Sequence, residues 1–181
     1  MQNPQTLTPS SSRPKTFDLI LTSMLIALVF VATLLLNIRL PIAANGGLVH
    51  LGTAMLFIAS MLFGPKKGAL AGSFGMAIFD LVSGWTLWAP FTFIARGIQG
   101  YVVGKIAWAG GKNGSSVGLN ILAAIVSIPF MLAVYYVCEG ILYGNWYAPM
   151  ASIPGNLVQN GVGILVAIPV VLVLKRIPYF K

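Results

Sequence analysis

Residues 48–69 read LVHLGTAMLFIASMLFGPKKGA. From Leu48 to Phe63 the run holds no acid, lysine or arginine, and its one imidazole, His50, stands at the start. It ends on Gly64-Pro65-Lys66-Lys67-Gly68, where glycine and proline stop a helix and two lysines resist burial. An apolar helix closed by a tight basic turn is the signature of a membrane segment at its surface. The rest of the chain repeats that pattern on both sides. Toward the N-terminus, Leu19 to Leu36 is eighteen residues without a charge. Small residues beyond it, Ala43 and Ala44, admit a signal peptide as a rival, but the apolar part of a signal is normally about 7 to 15 residues long, so the run is read as an uncleaved first helix. Toward the C-terminus, apolar runs cover Ala69 to Ser83, Pro90 to Trp108, Val117 to Leu142 and Pro154 to Leu174. Pro129 and Pro169 are expected kinks in the last two.

Composition agrees with this parse. Of 181 residues, 57% are hydrophobic and 8% charged, against about 25% charged in an ordinary soluble domain. The expectation is an all-α polytopic membrane protein, a six-transmembrane-helix bundle. Residues 1–16 form a flexible polar tail, residues 17–176 one membrane domain, and residues 177–181 a short C-terminal end. Six crossings put both termini on one side, together with Arg13, Lys15, Lys66, Lys67, Lys105, Lys112, Lys175, Arg176 and Lys181, whereas the opposite loops hold only Arg39. By the positive-inside rule both termini are cytoplasmic, in a multi-pass protein of the plasma membrane. The net charge of +8 then reports topology and not nucleic-acid binding. A lone cysteine, Cys138, excludes an intrachain disulfide, and with one histidine it excludes the usual zinc sites, so no metal is expected.

With the topology in hand, the polar residues fall in the outer part. His50 opens helix two, Asp80 closes helix three, Arg96 and Gln99 lie in helix four, and Tyr135 and Glu139 stack at i, i+4 in helix five. Asn156, Gln159, Asn160 and Gly163 share one face of helix six. Ionisable groups at membrane depth normally face protein or a water-filled cavity, which makes these residues a candidate substrate pocket. The blander alternatives stay open here: Arg96 as a structural partner of Asp80 or Glu139, and Asp80 and His50 as solvated helix ends. Trp85, Trp88, Trp146 and Tyr147 flank the outer loops, either anchoring at headgroup level or, as with Trp88, meeting the ligand. Amides, aromatic rings and balanced charge suit a small, flat, polar heterocycle better than a polyanion.

The inner portions of helices one, two, five and six have almost no polar side chain to line an exit path. No phosphate-binding loop is present, and no nucleophile stands beside a base, so neither ATP hydrolysis nor catalysis is expected of this chain. A self-sufficient carrier using Glu139 or Asp80 as a proton site is the competing reading. Small-residue ladders on helix three (Gly68, Gly72, Gly75), on helix four (Gly97, Gly100, Gly104) and at Ser23 and Ala27 on helix one allow close helix packing or a docking surface.

Three stretches carry a family likeness: Leu51-Gly52 through Phe63-Gly64-Pro65-Lys66-Lys67-Gly68-Ala69, Ala95-Arg96-Gly97-Ile98-Gln99-Gly100-Tyr101, and Gly155-Asn156-Leu157-Val158-Gln159-Asn160-Gly161. In this order within a six-span chain they resemble a substrate-binding S component of an energy-coupling factor (ECF) vitamin transporter, over about residues 17 to 176. The resemblance implies a vitamin bound from outside beneath the loop Asn37 to Gly47. It also implies docking on a transmembrane T component driven by two ATPases, with ATP consumed by those partners and no cofactor on this chain, and toppling to release the ligand. The family's Ala-x-x-x-Ala docking motif is matched here by Ser23-Met24-Leu25-Ile26-Ala27. Among vitamin classes the sequence is most similar to the hydroxymethylpyrimidine and pyridoxine group.

Overall fold

Helix α2 (Gly52–Phe63) lies at the centre of the molecule, with ten of its twelve residues buried. A helix apolar on every side has no face to give to water and belongs inside. Around it pack α1 (Lys15–Leu35), α3 (Pro65–Val82), α4 (Ala89–Ala107) and α6 (Ile153–Leu174), and α5 (Val117–Tyr143) closes the bundle against α4 and α6. This computed structural model describes residues 15–35, 37–39 and 48–180. Residues 1–14, the rival cleavage region at Ala43 and Ala44, most of the Asn37 to Gly47 loop, and Lys181 lie outside the described residues.

Among the described residues there are six α-helices, and three stretches are long and apolar enough to cross a membrane: Lys15–Leu35, Val117–Tyr143 and Ala148–Leu174. Helix α2 is about 18 Å long, short of a hydrocarbon core of about 30 Å, so it acts as a packed interior element. Exposed large side chains such as Leu19, Ile20, Leu122, Ile125 and Leu165 cover the outer faces. An apolar exterior of this kind suits a lipid environment.

Two element boundaries differ from the sequence reading. Leu48–His50 does not begin helix two; it forms strand β2, paired antiparallel with β1 (Asn37–Arg39) in the register Asn37 to His50, Ile38 to Val49 and Arg39 to Leu48. A run this short does not separate strand from helix by hydrophobicity alone, and Gly52 marks the change. The expected five-residue turn shrinks to Gly64, whose φ of 86° only glycine takes readily. Pro65 then starts α3 at the position where its missing N–H costs nothing. Lys66, Lys67 and Gly68 therefore sit in the first turn of α3, and Lys67 Nζ reaches Asp18 Oδ1 at 2.5 Å, tying the starts of α1 and α3. Helix α5 starts on a Ser116 cap and ends at Gly144 in the left-handed region. Both Pro129 and Pro169 are accommodated inside their helices.

The ladders on α3 and α4 are internal. A Cβ built on Gly100 would stand 2.5 Å from the Gly68 carbonyl oxygen, and one on Gly104 would meet the Pro65 backbone, so these two helices touch backbone to backbone. Ser23 and Ala27, by contrast, are exposed on α1, whose buried side is Leu25, Val29 and Thr33. Gly100→Val is accordingly expected to lower the thermal unfolding temperature sharply or prevent recovery of folded protein, because overpacking a tight contact costs about 1–3 kcal/mol or more. Gly118→Ala, with no neighbouring atom within 4 Å, is expected to leave it unchanged. Equal melting temperatures for the two variants would contradict the close α3–α4 crossing.

One end of the bundle is closed by side-chain hydrogen bonds to backbone carbonyls. Trp108 Nε1 donates to Met61 O at 3.0 Å, Asn120 Nδ2 to Gly114 O at 2.8 Å, and Lys175 Nζ to Asn113 O at 2.6 Å and Phe180 O at 2.8 Å. The polar side chains of interest gather at the other end.

Candidate functional site

At that other end a cavity of about 130 Å³ opens between the last turns of α1, α3 and α5 and the first turns of α4 and α6. Helical spacing explains who meets there. Thr92 and Arg96 are one turn apart on α4, Tyr135 and Glu139 one turn apart on α5, and Ser152, Asn156 and Gln159 share the start of α6. The cavity brings together eight residues singled out in the sequence: His50, Asp80, Trp88, Arg96, Tyr135, Glu139, Asn156 and Gln159.

The other two, Gln99 and Asn160, do not line it. They form a fully buried hydrogen-bonded layer beneath: Arg96 Nη1 donates to Gln99 Oε1 at 2.8 Å, Gln99 Nε2 to Asn160 Oδ1 at 2.7 Å, and Asn160 Nδ2 to the Asn156 carbonyl at 2.7 Å. Further along the same α6 face Gly163 packs on Thr53 and Phe57 of α2. A single helix face thus passes from cavity to helix contact within seven residues, about 10 Å of rise.

Arg96 and Glu139 are each 3% exposed, so both side chains are enclosed by protein. The Arg96 guanidinium also reaches Thr53 Oγ1 at 3.4 Å and lies 5.5 Å from the centre of the Tyr135 ring, a cation–π distance. His50 is buried, not a solvated helix end. The Gln159 amide nitrogen contacts His50 Nε2 at 2.7 Å and donates to Thr53 Oγ1 at 2.8 Å, which locks α6 to the β2–α2 junction. Tyr135 Oη donates to Thr92 Oγ1 at 3.1 Å.

The outer aromatics divide. Trp85 and Trp88 line the cavity, packed edge to face with ring centres 6.5 Å apart, and Tyr143 lies 6.1 Å from Trp88. Trp146 and Tyr147 are exposed, Trp146 lying over Gly140 and beside Tyr136. Sequence reasoning missed Thr33, Met76, Phe79, Thr92 and Ser152 as lining residues. Thr92 was within reach of it, one turn before Arg96. Thr33, an isolated hydroxyl in the apolar last half of α1, carries no periodic signal.

A mixed polar cavity at one end of a bundle closed at the other has the shape and lining typical of small-molecule sites. Comparison with known proteins gives the chain a lineage. Residues 14–176 match the family described as "ECF-type riboflavin transporter, S component". The chain belongs to this family of ECF transporter S components. Among its relatives is the "Thiamine precursor transporter HmpT" of Lactococcus lactis subsp. cremoris, 31% identical over 143 residues, 78% of this S component and 77% of that protein. An uncharacterised protein from Pyrococcus woesei is 32% identical over 139 residues, 77% of this S component and 90% of the relative. A solved structure, described as the S component of a bacterial ECF transporter, superposes with a TM-score of 0.68 at 22% identity, covering 90% of this chain and 98% of that one. At that identity it supports the fold of this S component, a membrane protein of a transporter family.

Proposed function

We propose that this S component binds a small vitamin precursor from outside the cell, hydroxymethylpyrimidine before pyridoxine, and delivers it inward when docked on a T component powered by two ATPases. Hydroxymethylpyrimidine is favoured because a relative named for a thiamine precursor is similar over most of both chains. The chemistry of the cavity points the same way: an aminopyrimidine ring offers faces for Trp88 and Tyr135 and an edge for carboxylates and amides. Six crossings with both termini cytoplasmic in the plasma membrane are part of this proposal, supported by the basic residues near the closed end, and the exposed Ser23 and Ala27 face is taken as the docking surface for the T component.

The single observation that carries the reading is the size of the cavity. About 130 Å³ is small beside the roughly 300–1,000 Å³ of pockets for drug-sized ligands. Riboflavin is the second reading, because the family description names it. Its three fused rings and sugar-alcohol chain ask for more room than one substituted ring does. Hydroxymethylpyrimidine is expected to bind the purified protein one to one, without ATP, and to raise its melting temperature. At a hundredfold excess over Kd the gain is about 2.7 kcal/mol. Stabilisation by riboflavin and not by hydroxymethylpyrimidine would transfer the assignment to the larger vitamin.

A further inference from the structure

We propose, resting on the reading of the cavity as a vitamin-precursor site, that Asp80 is its specificity-determining residue. It takes the N–H donor edge of an aminated nitrogen heterocycle, so that the cavity accepts a 4-aminopyrimidine and discriminates against the 4-oxo ring of the same shape. The inference comes from the imbalance between donors and acceptors on the cavity wall. Arg96 gives an N–H to Gln99 and Thr53, Tyr135 gives its hydroxyl proton to Thr92, Gln159 donates to Thr53, and Asn156 Nδ2 donates to the Ser152 carbonyl at 3.2 Å. Each of these residues has at least one donor engaged with a protein acceptor.

Acceptors are in surplus. The chain has three acidic residues, and two of them, Asp80 and Glu139, line this one cavity, against one of its eleven lysines and arginines. Asp80 is the better placed reader. The Thr92 hydroxyl, which accepts from Tyr135, stands beside the Asp80 carboxylate. One carboxylate oxygen, Oδ2, is buried with no hydrogen-bond partner among the described residues. A buried acceptor left unmade is costly, and a ligand N–H that reaches this carboxylate removes the deficit. An oxo group at the same place sets acceptor against acceptor. Phe79, Trp85 and Trp88 line the same cavity, and such rings suit a planar ligand and not a flexible amine.

The test is calorimetric titration of the purified full chain with 4-amino-5-hydroxymethyl-2-methylpyrimidine and with its 4-oxo counterpart. Wild-type protein is expected to prefer the amino compound by roughly thirtyfold or more. In Asp80→Asn, whose amide can also donate, that ratio is expected to fall toward one, with the oxo compound gaining affinity. Equal binding of the two compounds by the wild type overturns the proposal even if the variant does not fold. So does a folded Asp80→Asn protein that keeps the full preference. In both cases the pyrimidine reading survives. If neither pyrimidine binds while riboflavin or pyridoxine does, the underlying assignment fails first, and this inference with it.

Discussion

Arg96→Ala is expected to weaken hydroxymethylpyrimidine binding by about a hundredfold or more and also to lower the melting temperature of the ligand-free protein. The guanidinium is 3% exposed, sits 5.5 Å from the Tyr135 ring, and donates to Gln99 and Thr53. Removing it deletes a buried cation and strands the Gln99 carbonyl at once. Truncating one member of a buried, hydrogen-bonded charge set costs about 2–5 kcal/mol, and each 1.4 kcal/mol is about tenfold in affinity. Arg96→Lys keeps the charge but not the planar fork, so it is expected to recover only part of the loss. The informative comparison is Gln99→Met. Gln99 belongs to the layer under the cavity and is absent from its lining, so this variant is expected to lose thermal stability with a much smaller change in affinity. Affinities unchanged in Arg96→Ala would remove that residue from the site. Equal losses in both variants would mean that lining and underlayer act as one unit.

That distinction between lining and underlayer marks the limit of what the sequence discloses. The helices were legible because each is a long apolar run punctuated by Gly, Pro and charge, and membrane burial amplifies that signal. The inward-facing polar residues were legible for the same reason: an ionisable group in an apolar helix needs protein around it, and Asp80, Arg96 and Glu139 do meet at one cavity. Depth within a few ångströms was not legible. Asn156, Gln159 and Asn160 lie within two turns of one helix, yet only the first two reach the cavity, since Asn160 is drawn to Gln99 by a partner on another helix. The β1–β2 hairpin escaped because Leu48–His50 continues the hydrophobic run of α2 without a break in composition. The small-residue ladders were visible as ladders, but their partners were not. Glycine permits an approach without naming the helix that makes it, and here α3 and α4 spend their glycines on each other and on α1 and α2 while Ser23 and Ala27 stay exposed.

Liposomes containing this chain alone are expected to bind hydroxymethylpyrimidine and to accumulate none, with or without a proton or sodium gradient. The bundle has its cavity at one end, and at the other Trp108, Asn120 and Lys175 fasten the loops to backbone carbonyls. Between them lies the apolar core of Phe57, Leu56, Met61 and Val103, each at 0% exposure. A polar ligand crossing that core would lose its hydrogen bonds without replacement, at several kcal/mol for each group. On the proposed reading, release on the far side is by motion of the whole bundle, and the partner ATPases supply the work for it. Adding a T component and two ATPases with ATP is expected to switch uptake from none to sustained turnover. Ala27→Trp, a bulky change on the exposed face of α1, is expected to abolish that uptake while leaving ligand affinity intact. The two arms fail differently: gradient-driven uptake by the chain alone would make Glu139 or Asp80 the proton site of a self-sufficient carrier, whereas normal uptake by Ala27→Trp would leave the assisted mechanism standing and move the docking surface off the Ser23 and Ala27 face.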